Sequence, residues 1–451
     1  MSEGPRPGLS PAVRLVFALA LALYLGVAAW LLWRTSILEA YSDMYDWIAR
    51  WDRLQADGEL GRYLWAPHNF HHLVWTFAVL GADIRAFGAN GYLFLAAGAL
   101  CLAATAAMLA SLGAAAAGQG LRLVGAGGAA ALCLTGCDVL DASVDINTTY
   151  VHALVFAVAA IVLAQAPGGT SLRRRCGALA CALAAGLGSA AGLAVWPALL
   201  FAAWRGGERR WMWTVLAAGV AFSGLYLLGE TAGPTGATGA AGGVRLGEAI
   251  ALAVNYLALP WLRGAPSAGW VMGLVVLALS VAALATKGWR GAAWPERAAV
   301  ALILFSLTTA AMAGVARTGA TAPQLPPMRY AVFLAPLHVG LWVLALPYLR
   351  QAWEKRPARW EAAVVAAAAV MLLHQAVMTV YAVQTADRTL RVVADFRAGR
   401  RTPQMTATIY PDLGKAQALA GAMRREGVYQ RELRPDPPPS GSGISASSSG
   451  R

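Results

Sequence analysis

The stretch LVFALALALYLGVAAWLLW, residues 15–33, is bracketed by Arg14 and Arg34 and contains no charged side chain. As a helix, its length of ~28 Å matches the hydrocarbon thickness of a bilayer. Lipid offers no partner for backbone N–H and C=O groups, and a helix satisfies them internally. Comparable runs occur at 92–112 and 364–383. With 58% hydrophobic and 13% charged residues over 451 positions, the chain falls outside the soluble globular class. Seventeen Trp suit a protein with two water–lipid interfaces, where indole is favoured. The run at 15–33 lacks a small-residue cleavage site, so it reads as an uncleaved anchor rather than a signal peptide.

The connections between apolar runs alternate in character. One set carries Arg122, Arg173–Arg175, Arg205, Arg209, Arg210, Lys287, Arg290, Arg297, Arg350, Lys355, Arg356 and Arg359, to which the N-terminal Arg6 and Arg14 belong. The other set is poor in Lys and Arg and holds Asp, His and Trp. Lys/Arg-rich loops stay in the cytoplasm, so the N-terminus is expected inside and the reactive side chains outside. The net charge of +13 is split among short loops rather than gathered in a stripe. Its counterpart is then anionic lipid, not nucleic acid. Five Cys lie in or beside apolar runs without zinc-site company and read as small buried hydrophobes.

These patterns predict an all-α polytopic membrane protein with about 11 transmembrane helices. The spans are placed at 13–33, 91–113, 120–137, 148–165, 176–189, 191–204, 211–229, 266–286, 297–316, 330–348 and 361–383. Residues 1–12 form a cytoplasmic lead and 13–384 the transmembrane domain. Residues 385–433 form a small extracytoplasmic appendage, leaving the C-terminus outside. Residues 434–451, rich in Pro, Ser and Gly, are disordered on composition. The stretch around Gly186–Gly192 demands two short helices turning at Ser189, because the basic clusters on either side must share a face of the membrane. In the first outer loop, 34–90, an amphipathic helix is expected at 41–57. Met44, Trp47, Ile48, Trp51 and Leu54 form its apolar stripe, and Asp43, Asp46, Arg50, Arg53 and Asp57 the polar one. Such a helix lies along the membrane surface. A shorter piece at 70–84 dips into the bilayer.

Four outward segments carry the candidate chemistry. Asp43 and Asp46 stand three apart, so their carboxylates share a helical face and can hold a metal or act as a general base. His68, His71 and His72, at i, i+3 and i+4, converge at a helix start and suit a metal, a phosphate or a proton relay. Asp138, Asp141 and Asp145 make a third, acidic segment ending in Tyr150 and His152. Arg317 and Arg329, beside Tyr330, offer planar forks for phosphate oxygens. Trp47 and Trp65 are candidate stacking surfaces for a sugar ring. A divalent metal ion is a candidate cofactor, with Asp43, Asp46 and His68 as its ligands. His338 and His374 lie inside spans, where ionisable residues suggest function or, equally, packing.

The chain resembles bacterial multispanning glycosyltransferases of GT-C-type architecture. The likeness lies nearest a group whose first outer loop reads W-x-x-H-N-E-H-R before a short apolar helix ending in Asp. Matching residues are Trp65, His68, Asn69, His71 and Asp83. Further matches are Gly192-Leu-Ala-Val-Trp196-Pro197, Arg317 with Arg329-Tyr330, and Tyr410-Pro with Arg424-Arg-Glu-Gly-Val. Phe70 replaces the pattern's Glu, and His72 its Arg. The resemblance implies a bacterial inner-membrane enzyme that moves a sugar from a polyprenyl-phosphate donor to an envelope acceptor at the outer face. On this reading Asp43 would be the base or a metal anchor, Asp46 second to it, His68 and His71 would assist at the phosphate or metal, and Arg329, then Arg317, would clamp the lipid phosphate. A lipid or small-solute transporter, or a non-enzymatic envelope-assembly protein, are the alternative readings.

Overall fold

The computed structural model describes residues 8–37, 42–68, 71–88, 90–143, 147–167, 171–230, 245–259, 261, 266–286, 292–318, 328–410 and 412–425. Asn69, Phe70, Asp145 and the tail 434–451 lie outside the described residues. The chain is a multi-helix membrane protein. Its helices are α1 Pro11–Arg34, α2 Met44–Ala56, α3 Leu60–Trp65, α4 Val74–Phe87, α5 Tyr92–Ala117, α6 Arg122–Cys133, α7 Gly136–Ala142, α8 Thr148–Gln165 and α9 Leu172–Gly186. They continue as α10 Val195–Arg205, α11 Arg209–Glu230, α12 Leu246–Leu257, α13 Pro266–Thr286, α14 Trp294–Ala316, α15 Ala335–Lys355, α16 Pro357–Arg397, α17 Met405–Thr408 and α18 Leu413–Arg425. Between α3 and α4 the strands β1 (Pro67–His68) and β2 (His71–His72) form a minimal antiparallel hairpin.

Seven of these helices are long and apolar enough to cross a membrane: α1, α5, α8, α11, α14, α15 with its preceding turn, and α16. The 11 expected spans are therefore not all matched by spanning helices among the described residues. The differences have local causes. The expected span at 120–137 breaks at Leu134–Thr135. There the buried Gln375 accepts the Gly136 N–H at 3.0 Å and donates to the Leu134 carbonyl, so the break is satisfied inside the bundle. Helices α9 and α10 are separate short elements joined by a turn at Leu187–Ser189 and a 3-10 helix at Ala190–Ala194.

Of the four hydrophobic clusters among the described residues, two position the site. The larger gathers α1, α5, α8, α10, α14 and α15, where Gly and Ala bring backbones close. A Cβ on Gly113 would stand 2.2 Å from the Gly125 carbonyl oxygen, so α5 and α6 touch main chain to main chain. The second core forms a cap. It joins Met44, Trp47, Ile48, Trp51 and Leu54 of α2 to Phe77 and Leu80 of α4, and to Val392, Phe396, Met405 and Ile409 near the C-terminus. The apolar stripe of α2 is thus buried against protein rather than lipid, and α2 does not lie free on the membrane surface. The expected boundary at 384/385 falls inside α16, a single helix of 41 residues. It runs from the bundle into the cap and is held to α1 by Arg34, which donates to both Asp387 oxygens at 2.8 and 3.1 Å.

Candidate functional site

Ser42 adopts φ +55°, a left-handed conformation unusual for a residue with a side chain, and its N–H meets the Ile409 carbonyl. This turn sets Asp43 at the start of α2. Asp43 Oδ2 lies 3.1 Å from His68 Nε2. Burial pushes the Asp43 carboxyl up, but the hydrogen bond and charge of His68, with the charge of Arg329, hold it below its ordinary value. The carboxyl is therefore ionised at neutral pH.

The histidines sit on the hairpin, not on a helix start. Arg50 donates to the Ala66 and Pro67 carbonyls at 3.3 and 3.2 Å, which pins β1 to α2. Strand period is two, so the register sets His68 opposite His71 and turns His72 to the other face. His72 is fully buried. Its ring stacks on Trp65 at 4.5 Å, its Nδ1 donates to the Trp65 carbonyl, and its backbone N–H donates to the Tyr226 hydroxyl. It is a packing residue, and the expectation that all three histidines converge is corrected to two.

His71 Nδ1 accepts the Ala190 N–H at 3.2 Å, which leaves the ring proton on Nε2. Burial, then the charges of His68, Arg329, Arg317 and His72, depress its pKa to about 4. The ring is a neutral donor at physiological pH. Ala190 is placed by the turn between α9 and α10. There a Cβ on Gly192 would stand 2.0 Å from the Ala185 oxygen, and one on Gly188 2.7 Å from the Ala153 nitrogen. Only glycine allows the turn to close this tightly on α8 and α9.

Opposite, Arg317 follows α14 and donates to the Tyr330 hydroxyl at 3.0 Å, its guanidinium 5.2 Å from the Tyr330 ring centre. Arg329 approaches the same ring at 6.0 Å. Tyr150, at the start of α8, meets Tyr330 edge to face at 5.2 Å, and Tyr256 donates to the Tyr330 carbonyl at 2.7 Å. Both arginines act on His71, and Arg329 on Asp43. Asp43, His68, His71, Arg317, Arg329, Tyr330 and Tyr150 thus form one constellation. No protein-family model, curated protein or solved structure matches this chain.

Several candidates fall elsewhere. Asp46 points away from Asp43: it accepts from the Tyr410 hydroxyl and from Lys415 Nζ, both at 2.6 Å. The two carboxylates do not share a face, because Asp43 precedes the first helical turn while Asp46 is drawn to the C-terminal helices. Asp43, Asp46 and His68 consequently do not converge. Among the described residues no three His, Cys, Asp or Glu side chains cluster as metal ligands. Trp47 is buried against His68 and Phe77 and offers no face to a sugar. Trp65 is 43% exposed, with one face covered by His72. Asp83 is buried and accepts the Gly91 and Leu93 N–H groups, fixing the turn into α5. Asp138 is turned into the bundle, where it lines a cavity of about 10 Å³ with Thr135, Trp261, His338 and His374. His338 donates from Nδ1 to the Leu334 carbonyl and accepts at Nε2 from Trp261, both at 2.8 Å, the pattern of a packing histidine. Sequence reading placed Tyr150 in the third segment and Tyr410 in a matched motif but gave neither a role, and it missed Lys415 and the Ala190 N–H, which carry no local signal.

Proposed function

We propose that this protein transfers a sugar from a polyprenyl-phosphate donor to a hydroxyl acceptor at the outer face of a bacterial inner membrane, as GT-C-type enzymes do. The supporting observation is the Asp43–His68 pair standing within the field of Arg329, with Arg317 and Tyr330 alongside. In the proposed step the acceptor hydroxyl gives its proton to Asp43 as its oxygen bonds to the sugar C1. The bond from C1 to the donor phosphate oxygen breaks, and the lipid monophosphate departs with that electron pair. Arg317 and Arg329 meet the charge that grows on the phosphate, in a site whose dipoles are already aligned. His71, neutral and with its tautomer fixed, donates a hydrogen bond from Nε2. Asp46 is drawn away to Tyr410 and Lys415, so Asp43 is the carboxylate that serves the step. Phe70 removes the Glu of the resembling group, and Asp43 is left to take the proton.

Lipid extracts compared by mass spectrometry from cells with the intact gene, a deletion and Asp43→Asn test this reading. Accumulation of a polyprenyl-phosphate sugar in both altered strains is expected. Normal lipid-linked sugars in the Asp43→Asn strain, with the protein folded in the membrane, would refute it. Transport is the competing reading, and the observation favouring it is the Asp138, His338 and His374 group inside the bundle. The cavity there holds about one water, too small for a lipid or sugar path. Under transport, substitution of His338 or His374 is the damaging change and Asp43→Asn is silent.

A further inference from the structure

At the end of the bundle remote from the histidine hairpin, a cleft of about 550 Å³ opens between the start of α1, the end of α5 and the start of α6. Its polar lining is Arg14, Arg122, Gln119 and Ser111, and its walls include Leu123 and Ala126. We propose that this cleft binds the headgroup of an anionic phospholipid.

Three observations carry the assignment. The first is charge. Both guanidiniums are exposed and neither meets a carboxylate among the described residues; Arg14 makes one long hydrogen bond, 3.4 Å, to the Leu9 carbonyl. Glu361, an acid near the start of α1, is engaged by the Ser10 N–H at 2.6 Å. The second is selectivity. Among the described residues no Asp or Glu lines the cleft, so a phosphate finds cations while the ammonium of a zwitterionic headgroup finds no counter-charge there. The third is shape. The size is that of a small-molecule site, and α5 and α6 meet backbone to backbone at Gly113 and Gly125. That contact is rigid and keeps the floor of the cleft from collapsing. Apolar walls one turn further along α5 and α6 receive the glycerol backbone and the first methylenes. Basic pockets between spanning helices on the Lys/Arg-rich face recognise lipid phosphates in this way.

The test is native mass spectrometry of the full chain in detergent with equimolar dioleoyl phosphatidylglycerol and dioleoyl phosphatidylethanolamine. The variants are the double substitution Arg14→Gln/Arg122→Gln, the charge-matched control Lys355→Gln/Arg359→Gln, and Ala114→Leu, which fills the cleft without altering charge. The wild type and the control should retain one phosphatidylglycerol with at least about tenfold preference. The double variant and Ala114→Leu should lose it while unfolding at the wild-type temperature. Equal loss in the control would show general charge attraction and overturn the site. Displacement of the lipid by inorganic phosphate alone would overturn a lipid assignment, and retention in the double variant would overturn both.

Discussion

Replacing His71 by Asn keeps an acceptor near the position where Nδ1 meets the Ala190 N–H, and removes the only titrating group from that contact. In the folded protein the His71 pKa is depressed from 6.5 to about 4 by burial and by the positive neighbours Arg329 and Arg317. The unfolded chain therefore binds a proton between those values when the folded one does not. Stability is complete above pH 6.5 and is lost as pH falls toward 4. The loss is about 0.7 kcal/mol between pH 7 and 6, about 2 kcal/mol by pH 5, and about 3 kcal/mol once both forms are protonated. Unfolding by SDS titration in mixed micelles at pH 7, 6 and 5 measures this directly. The Asn variant should show a flatter profile, and the difference between the two curves isolates His71 from other acid-sensitive groups. Parallel profiles would refute the burial of a neutral His71 against Ala190, and with it the fixed tautomer on which its donor role rests.

Gly192→Ala should destabilise the protein by at least about 2 kcal/mol, since its Cβ meets a backbone oxygen that cannot move aside. Gly26→Ala, with open space at its Cβ, should be neutral or slightly stabilising in the same unfolding assay. Asp46→Asn should weaken the hold of α17 and α18 on α2. The pair with Lys415 is half exposed, so about 1 kcal/mol is expected, read as roughly fivefold faster proteolysis within 400–425. Arg317→Lys keeps the charge but loses the planar fork that meets the Tyr330 hydroxyl. Under the proposed function it should lower sugar transfer by at least about tenfold in a membrane assay, with folded protein unchanged.

Some of this was readable directly. Charge-free runs such as 15–33 announce burial in lipid because no other environment repays so long an apolar helix. The 3.6-residue stripe of Met44, Trp47, Ile48, Trp51 and Leu54 announced a helix with one buried face. The Arg317, Arg329 and Tyr330 grouping was visible because basic residues stand out where neighbouring loops avoid them. The histidines were visible as a cluster, but their geometry was not. Helical spacing at 68, 71 and 72 implied one face, whereas a two-residue hairpin divides them by the period of a strand.

The sequence by itself determined the class of solvent around each segment, since hydropathy and charge are properties of local composition. Only the tertiary structure decided what covers each face. The α2 stripe fits lipid and protein equally well, and it is the cap residues near 392–416 that bury it. Asp46 and Asp43 look alike three residues apart, yet one is claimed by Lys415, 369 positions away, and the other by His68. The broken helix at Leu134–Thr135 survives because Gln375 on a distant helix answers its orphaned groups. Such choices are made by partners remote in the chain, and the burial that makes those contacts strong arises only when the bundle and cap close together.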